Sequence, residues 1–417
     1  MGAKERMTIP VFSARARMLT WAAAVLLAGS AGLSSCNGGT ETTTSAPAAK
    51  VESSVKDNAK NVTPMTPLRI TTDGKLSKVE VFVKDKPGKL SGAIDQTGTW
   101  VNSEPLSLDT EYVVRATAVN AAGESTEIEQ TFSTVTPKVD ATYTVTPDGA
   151  TVGVGMPVVV RFDSPVETDA QRAEVEKRVS VRTSTKTKGA WGWTDQFTLM
   201  WRPMSYWKPK TKVSVNADLE GVQTGSGKWI RKSKKAAFTI ANRARVVKVN
   251  LSDHNMKVVE NGKVIAQYPI SAGREIGSWE TRSGTKVITE LHESLVMDAG
   301  TLGVGANDPN YYKTEVKYAV RVTNTGEFFH SAPWSVSAQG YRNVSHGCVN
   351  MSPGAAREFF NGTIIGDPAE FVGSSREMSP EDGMPVWLYT WKEWKQLSAI
   401  EPAQPTPAAS RSATPAQ

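Results

Sequence analysis

Ser345-His346-Gly347-Cys348-Val349-Asn350 sets a cysteine between a glycine and a β-branched residue, with His346 two positions before it and Asn350 two positions after. A thiolate nucleophile needs a base close by, and an oxyanion developing opposite it needs several N–H donors. Gly347 permits a tight backbone turn, which lets the amides of His346, Gly347 and Cys348 point at one oxygen. An unperturbed thiol titrates at roughly 8.5, so only a few per cent is ionised near neutrality and the sulfur depends on a base. Two histidines qualify. His346 shares a face with Cys348 if the backbone is extended, because residues i and i+2 do. His330, followed by Ser331, precedes the motif by residues 332–344. Spacing leaves the choice between them open.

Upstream, the text runs Gly326-Glu327-Phe328-Phe329-His330-Ser331-Ala332-Pro333-Trp334-Ser335. Joined to the Cys348 motif, this pattern resembles the signature of the L,D-transpeptidases, cysteine enzymes that cross-link peptidoglycan. The likeness is to their multi-domain actinobacterial lipoprotein branch with a YkuD-like catalytic domain, over about residues 50–398. It implies a mainly β chain: two immunoglobulin-like β-sandwich modules, then a β-rich catalytic domain with a short helix after the catalytic cysteine. It also assigns roles. His330 is the base, Ser331 orients its imidazole largely through the backbone carbonyl, and His346 is supporting and structural. The Tyr312 hydroxyl adds to the oxyanion hole, Met297 lines the pocket near the donor peptide, and Gly347 and Asn350 belong to the substrate side. The implied partners are a donor and an acceptor tetrapeptide stem, with D-Ala released and a 3→3 link made between meso-diaminopimelate residues. Carbapenems are the implied inhibitors. Close relatives carry an aromatic residue in the lid where this chain has Leu302.

Cys36 is the other of the two cysteines. Lys4, Arg6, Arg15 and Arg17 precede an apolar run, Met18 to Leu33, that is shorter than the roughly 20 residues of a spanning helix. The run ends at Leu33-Ser34-Ser35-Cys36, which resembles a bacterial lipoprotein cleavage box. Residues 1–36 are therefore expected to be a lipoprotein signal peptide, with Cys36 lipidated. The expected location is outside the plasma membrane, anchored to its outer face and reaching into the wall. Cys348 is then the lone thiol of an exported protein, where cysteines normally pair. Removing residues 1–35, with four basic groups and one acidic, lowers the net charge from +6 to about +3. Such a charge suits an anionic wall polymer.

Residues 37–50 lack apolar bulk and read as a flexible tether, and 399–417 as a disordered tail. Residues 51–137 form the first sandwich, on the alternation of Val79, Val81 and Val83 and of Tyr112, Val114, Ala116 and Ala118. Residues 138–242 form the second, with a helix opened by the capping box Thr168…Gln171 and running to Val179. Its Trp191, Trp193, Trp201, Trp207 and Trp229 are read as core rather than glycan platforms. The catalytic domain spans 243–375. Asn261-Gly262 marks a hairpin and Ser352-Pro353 a helix start, whose positive end is expected near the thiol. Residues 376–398, with Trp387, Trp391 and Trp394, are expected to pack back on the catalytic domain.

Other classes fit less of the chain. No basic stripe interleaved with aromatics suggests nucleic acid. Gly303-Val304-Gly305 lacks the Gly-Lys-Ser/Thr of a phosphate loop. No cofactor fingerprint appears, and His254 and His292 lack metal-ligand spacing. Papain-like enzymes place Cys before His, the reverse of the order here. Two readings stay open beside transpeptidation: an L,D-carboxypeptidase on the same acyl-enzyme, and a non-catalytic wall-binding lipoprotein.

Overall fold

The computed structural model describes residues 46–302, 304–308 and 311–400. The signal segment, Cys36, most of the tether, the tail beyond residue 400 and the Leu302 side chain lie outside the described residues.

The chain is mainly β, gathered around three apolar cores in sequence order. In the first, the strand Glu111–Val119 turns Tyr112, Val114, Ala116 and Ala118 inward. It lies between strands Lys75–Val83 and Ser125–Thr134, and a second four-stranded sheet faces this one. The tether is shorter than expected. Ala49 is buried in this core and the Lys50 N–H donates to Asp73 Oδ1 at 2.7 Å, so the chain is already folded there.

In the second sandwich the strand Val158–Phe162 buries Val159 as well as the alternating Val158, Val160 and Phe162. It is central, between Tyr143–Thr146 and Thr198–Pro203, and both its faces are covered. Trp193, Trp201, Trp207 and Trp229 are buried and Trp191 half-buried, consistent with the core reading. The helix Asp169–Arg178 begins at the Thr168–Gln171 capping box. It stops one residue before the expected end, because β-branched Val179 turns extended and opens the strand Val179–Thr183.

The catalytic portion has two sheets. Five strands run in the order Lys263–Pro269, Asn255–Glu260, Arg245–Asn250, Pro368–Val372, Gly284–Val287. Positive φ at Asn261 and Gly262 makes the hairpin turn. The second sheet orders Glu290–Asp298, Lys313–Arg321, Phe328–Ser331 and Val349–Met351. The last two strands carry the motif. They pair in parallel, His330 beside Asn350 and Phe329 beside Val349. The helix Pro353–Gly362 follows, capped by Ser352, and packs Ala356 and Phe359 into the core.

The C-terminal segment corrects an expectation only in part, since Asp382 pairs with Arg282 of the catalytic portion at 2.9 Å. Its tryptophans pack on the second sandwich, not on the catalytic core. Trp394 is fully buried and donates to the Ala190 carbonyl at 3.0 Å, while Trp387 donates to Gly155 O at 2.7 Å. The Arg202 guanidinium sits 4.9, 5.4 and 5.5 Å from the rings of Trp387, Trp391 and Trp394. Ala399, placed in the tail by its composition, donates its N–H to Glu176. The sandwich also meets the catalytic portion directly. Gly153 and Gly155 donate to the carbonyls of Ile365 and Gly366, both at 2.8 Å. A Cβ on Gly153 would lie 2.2 Å from the Asp367 nitrogen. Asp367 is itself buried and held by Arg243 at 3.2 Å.

Candidate active site

Parallel pairing of His330 with Asn350 directs both side chains to one side of the sheet. Cys348, two residues before Asn350, lies on that side too. All three border one cavity of about 320 Å³, with Met297, Tyr312, Trp334 and His346 among the other walls. Met297 comes from the strand Glu290–Asp298, where it pairs with Thr314, two residues after Tyr312.

The two histidines differ in state. His330 is buried, and its Nδ1 lies 2.9 Å from the Ser331 carbonyl. A carbonyl only accepts, so Nδ1 carries the proton and Nε2 the lone pair. Burial lowers its pKa to about 4, with the Ser331 carbonyl opposing. His346 is exposed. Its Nε2 lies 2.9 Å from an Arg274 nitrogen, and its ring sits 4.7 Å from that of Trp279 and 5.0 Å from that of Tyr312. Burial, then the Arg274 charge, holds its pKa below the ordinary value. Its Nε2 lone pair is used to accept from Arg274.

Cys348 is the one free cysteine among the described residues. Burial pushes its thiol up to about 12, and the Phe328 backbone N–H pulls the other way by favouring the thiolate. Glu327 adds to the rise, while Arg321 and Lys286 oppose it. The helix beyond the motif contributes less than expected. The three-residue strand Val349–Met351 separates it from Cys348, about 10 Å of extended chain, and a helix end acts only over its first turn. At rest the thiol donates to Gly326 O at 3.5 Å.

Gly347 has φ +130°, a backbone region that L side chains rarely adopt. Its N–H donates to Ser345 Oγ at 3.1 Å and is therefore occupied. That corrects the expectation of three amides around one oxygen. The amides of His346 and Cys348, on either side, have no partner among the described residues. The turn is braced from above by Thr281, whose hydroxyl accepts from Gly273 N and donates to Gly347 O, each at 2.8 Å. Burial, then the nearby Cys348, raises Tyr312 to about 12, so its hydroxyl stays a donor. Asn350 donates to Ser335 Oγ at 3.0 Å, a contact that fixes the short helix Pro333–Ala338 carrying Trp334.

Sequence reasoning missed Trp334, which lines the cavity, and Arg274 and Trp279, which pack against His346. Arg274 and Trp279 sit on a loop seventy residues away with no motif of their own. Trp334 stood inside the quoted text, and its signal was an aromatic four residues after His330; it is 58% exposed, with its ring 6.1 Å from that of His330.

Comparison with known proteins agrees with this architecture. Residues 59–223 match the family model described as a bacterial Ig domain, which spans parts of both sandwiches. Residues 244–370 match the L,D-transpeptidase catalytic domain. L,D-transpeptidase 2 of Mycobacterium tuberculosis is 35% identical over 357 residues, 84% of this chain and 85% of its own length. L,D-transpeptidase 5 of the same organism is 33% identical, over 88% of this chain and 80% of its own. A solved L,D-transpeptidase in complex with imipenem is 37% identical, over 57% of this chain and 100% of its own, with a TM-score of 0.48. Identity at this level, sustained from the first sandwich through the catalytic sheet, makes the chain a member of the L,D-transpeptidase family.

Proposed function

We propose that this protein forms 3→3 cross-links in peptidoglycan through a thioester on Cys348. The observation that carries the reading is one cavity walled by a lone thiol and by an imidazole whose tautomer is fixed by Ser331. The thiol and His330 are both neutral at rest, since one is raised to about 12 and the other lowered to about 4. Proton transfer therefore accompanies attack instead of preceding it as a stored ion pair.

The S–H turns from Gly326 O toward His330 Nε2. The sulfur attacks the carbonyl of a donor diaminopimelate residue as its proton passes to Nε2. The Cys348 amide and Tyr312 hydroxyl receive the oxyanion, with the His346 amide beside them. On collapse, the bond to the terminal D-Ala nitrogen breaks and His330 returns the proton to that amine. The side-chain amine of a second stem then attacks the thioester, loses a proton to Nε2, and displaces the thiol, which takes it back. Met297 borders the donor side. Carbapenems acylate the same sulfur. In this reading the chain is lipidated at Cys36 and held at the outer face of the plasma membrane, with the sandwiches as spacers.

Incubation with a disaccharide-tetrapeptide donor, followed by mass spectrometry, tests the reaction. Free D-Ala with a cross-linked dimer is the expected result. Free D-Ala with tripeptide alone, even with acceptor in excess, would identify a carboxypeptidase. No release by wild type, or full release by Cys348→Ala, would overturn the acyl-enzyme.

A further inference from the structure

Near Cys348 lies a buried cluster of charges that the reaction above does not use. Lys286 is fully buried, and its Nζ lies 2.6 Å from Glu327 Oε2. Arg282 reaches Glu327 Oε1 at 3.0 Å through both its guanidinium and its backbone N–H. The same guanidinium contacts Asp382 Oδ2 at 2.9 Å. Asp382 belongs to the C-terminal segment. It accepts from the Thr325 hydroxyl at 2.9 Å, and its backbone carbonyl accepts from Asn324 N at 2.6 Å. Four charges are thus fastened to the turn 323–328. That turn holds the sulfur's two backbone partners on either side of Glu327: the Gly326 carbonyl and the Phe328 N–H.

Buried ion pairs are poor stabilisers, because desolvation consumes most of their attraction, and apolar residues of like volume often serve as well. What such a cluster does supply is direction, since each carboxylate oxygen accepts from a fixed donor. We propose that Arg282, Glu327, Lys286 and Asp382 act as positioning residues that hold the Gly326–Phe328 turn against Cys348, so that the C-terminal segment sets the aim of the sulfur. This rests on the reading of Cys348 as nucleophile.

Two properties separate this role from its neighbours. Arg282 and Glu327 also border a second cavity of about 330 Å³, shared with Tyr312 and His346. A substrate contact there acts on apparent affinity, whereas positioning acts on the acylation rate at saturation. Other charged groups near the turn are Arg321, whose guanidinium lies 4.3 Å from the Phe328 ring, its partner Glu290 at 2.8 Å, and Arg376, which shares the second cavity with Gly326 and Glu327. None of them is altered in the test.

The test uses the full chain, with imipenem acylation followed at saturation and iodoacetamide alkylation followed against pH. Arg282→Lys keeps the charge, but one ammonium cannot span both carboxylates. It is expected to melt as a folded protein, to acylate about tenfold more slowly with apparent affinity unchanged, and to shift the alkylation profile to higher pH as Phe328 N–H drifts from the sulfur. Glu327→Gln is expected to slow acylation by about a hundredfold. A pure charge effect predicts the opposite for Glu327→Gln: removing an anion lowers the thiol's titration and speeds alkylation. Wild-type acylation with an unmoved alkylation profile in folded Arg282→Lys overturns the proposal. So does a loss confined to apparent affinity, or loss of folding in both variants, which would make the cluster a stability element. An imipenem adduct absent from wild-type Cys348 would instead fell the nucleophile, while the alkylation profile would still report on the turn.

Discussion

The two histidines that line the Cys348 cavity sit in walls built on opposite plans. The His330 wall is a sheet: a buried imidazole on a paired strand, one nitrogen tied to its neighbour's carbonyl and the other left with its lone pair. The His346 wall is a stack of loops, where imidazole, guanidinium and indole clasp one another. Arg274 lies 3.9 Å over the Trp279 ring while donating to His346. One wall keeps a nitrogen in reserve for a proton. The other uses its nitrogen to keep shape. The proposed choice of His330 as base thus rests on hydrogen-bond accounting and not on sequence proximity to the sulfur.

Removing the sulfur itself should have the largest effect. Cys348→Ala should abolish both D-Ala release and the imipenem mass adduct. Next, His330→Gln should slow acylation by about 10²–10⁴-fold with little change in apparent affinity, read by stopped-flow. Near-wild-type rates there would erase the contrast between the walls. The pH dependence sharpens it. A base that titrates at about 4 stays neutral far below the ordinary histidine range, so imipenem acylation should hold from neutrality down to about pH 5 and fall as pH drops through 4. The same shift affects folding. Unfolded His330 takes up a proton near 6.5 that the folded site refuses until about 4. Stability should therefore be full above 6.5 and decline by up to about 3 kcal/mol as pH falls through that window. His330→Gln should flatten that part of a urea-midpoint curve. His346→Gln should cost less, about tenfold or under, because it loosens a clasp and removes no proton carrier. Cys36→Ala should leave acylation unchanged and abolish palmitate labelling. Labelling that persists would remove the lipid anchor.

The first sandwich and the catalytic hairpin were legible because the Tyr112 to Ala118 alternation and the Asn261-Gly262 turn are local signals. Motif order, not periodicity, served the strands that carry His330 and Asn350, since their register spans 20 residues, from 330 to 350. Periodicity failed where partners are distant. Thr285-Lys286-Val287-Ile288 reads as a strand, but the pattern is silent on where Lys286 goes, and its side chain meets Glu327, 41 residues on. A charge at an inward position of an apolar strand was the available signal, and it has meaning only once its counter-ion is found. Trp387 and Trp394 misled for the same reason. Nothing in their own neighbourhood names Gly155 or Ala190, some two hundred residues earlier, as acceptors. The Gly347 amide was a subtler miss: its N–H is spent on Ser345 Oγ, a rotamer-level fact that no pattern encodes.

Gly153 has a consequence beyond its own turn. With the Asp367 nitrogen 2.2 Å from where a methyl carbon would sit, the seam tolerates hydrogen and nothing larger. A foreign sandwich grafted onto this catalytic half would jam unless it brought a bare backbone to that spot. The two halves are thus not interchangeable cassettes, and lineages that shuffle them must carry the glycine across together with the fold.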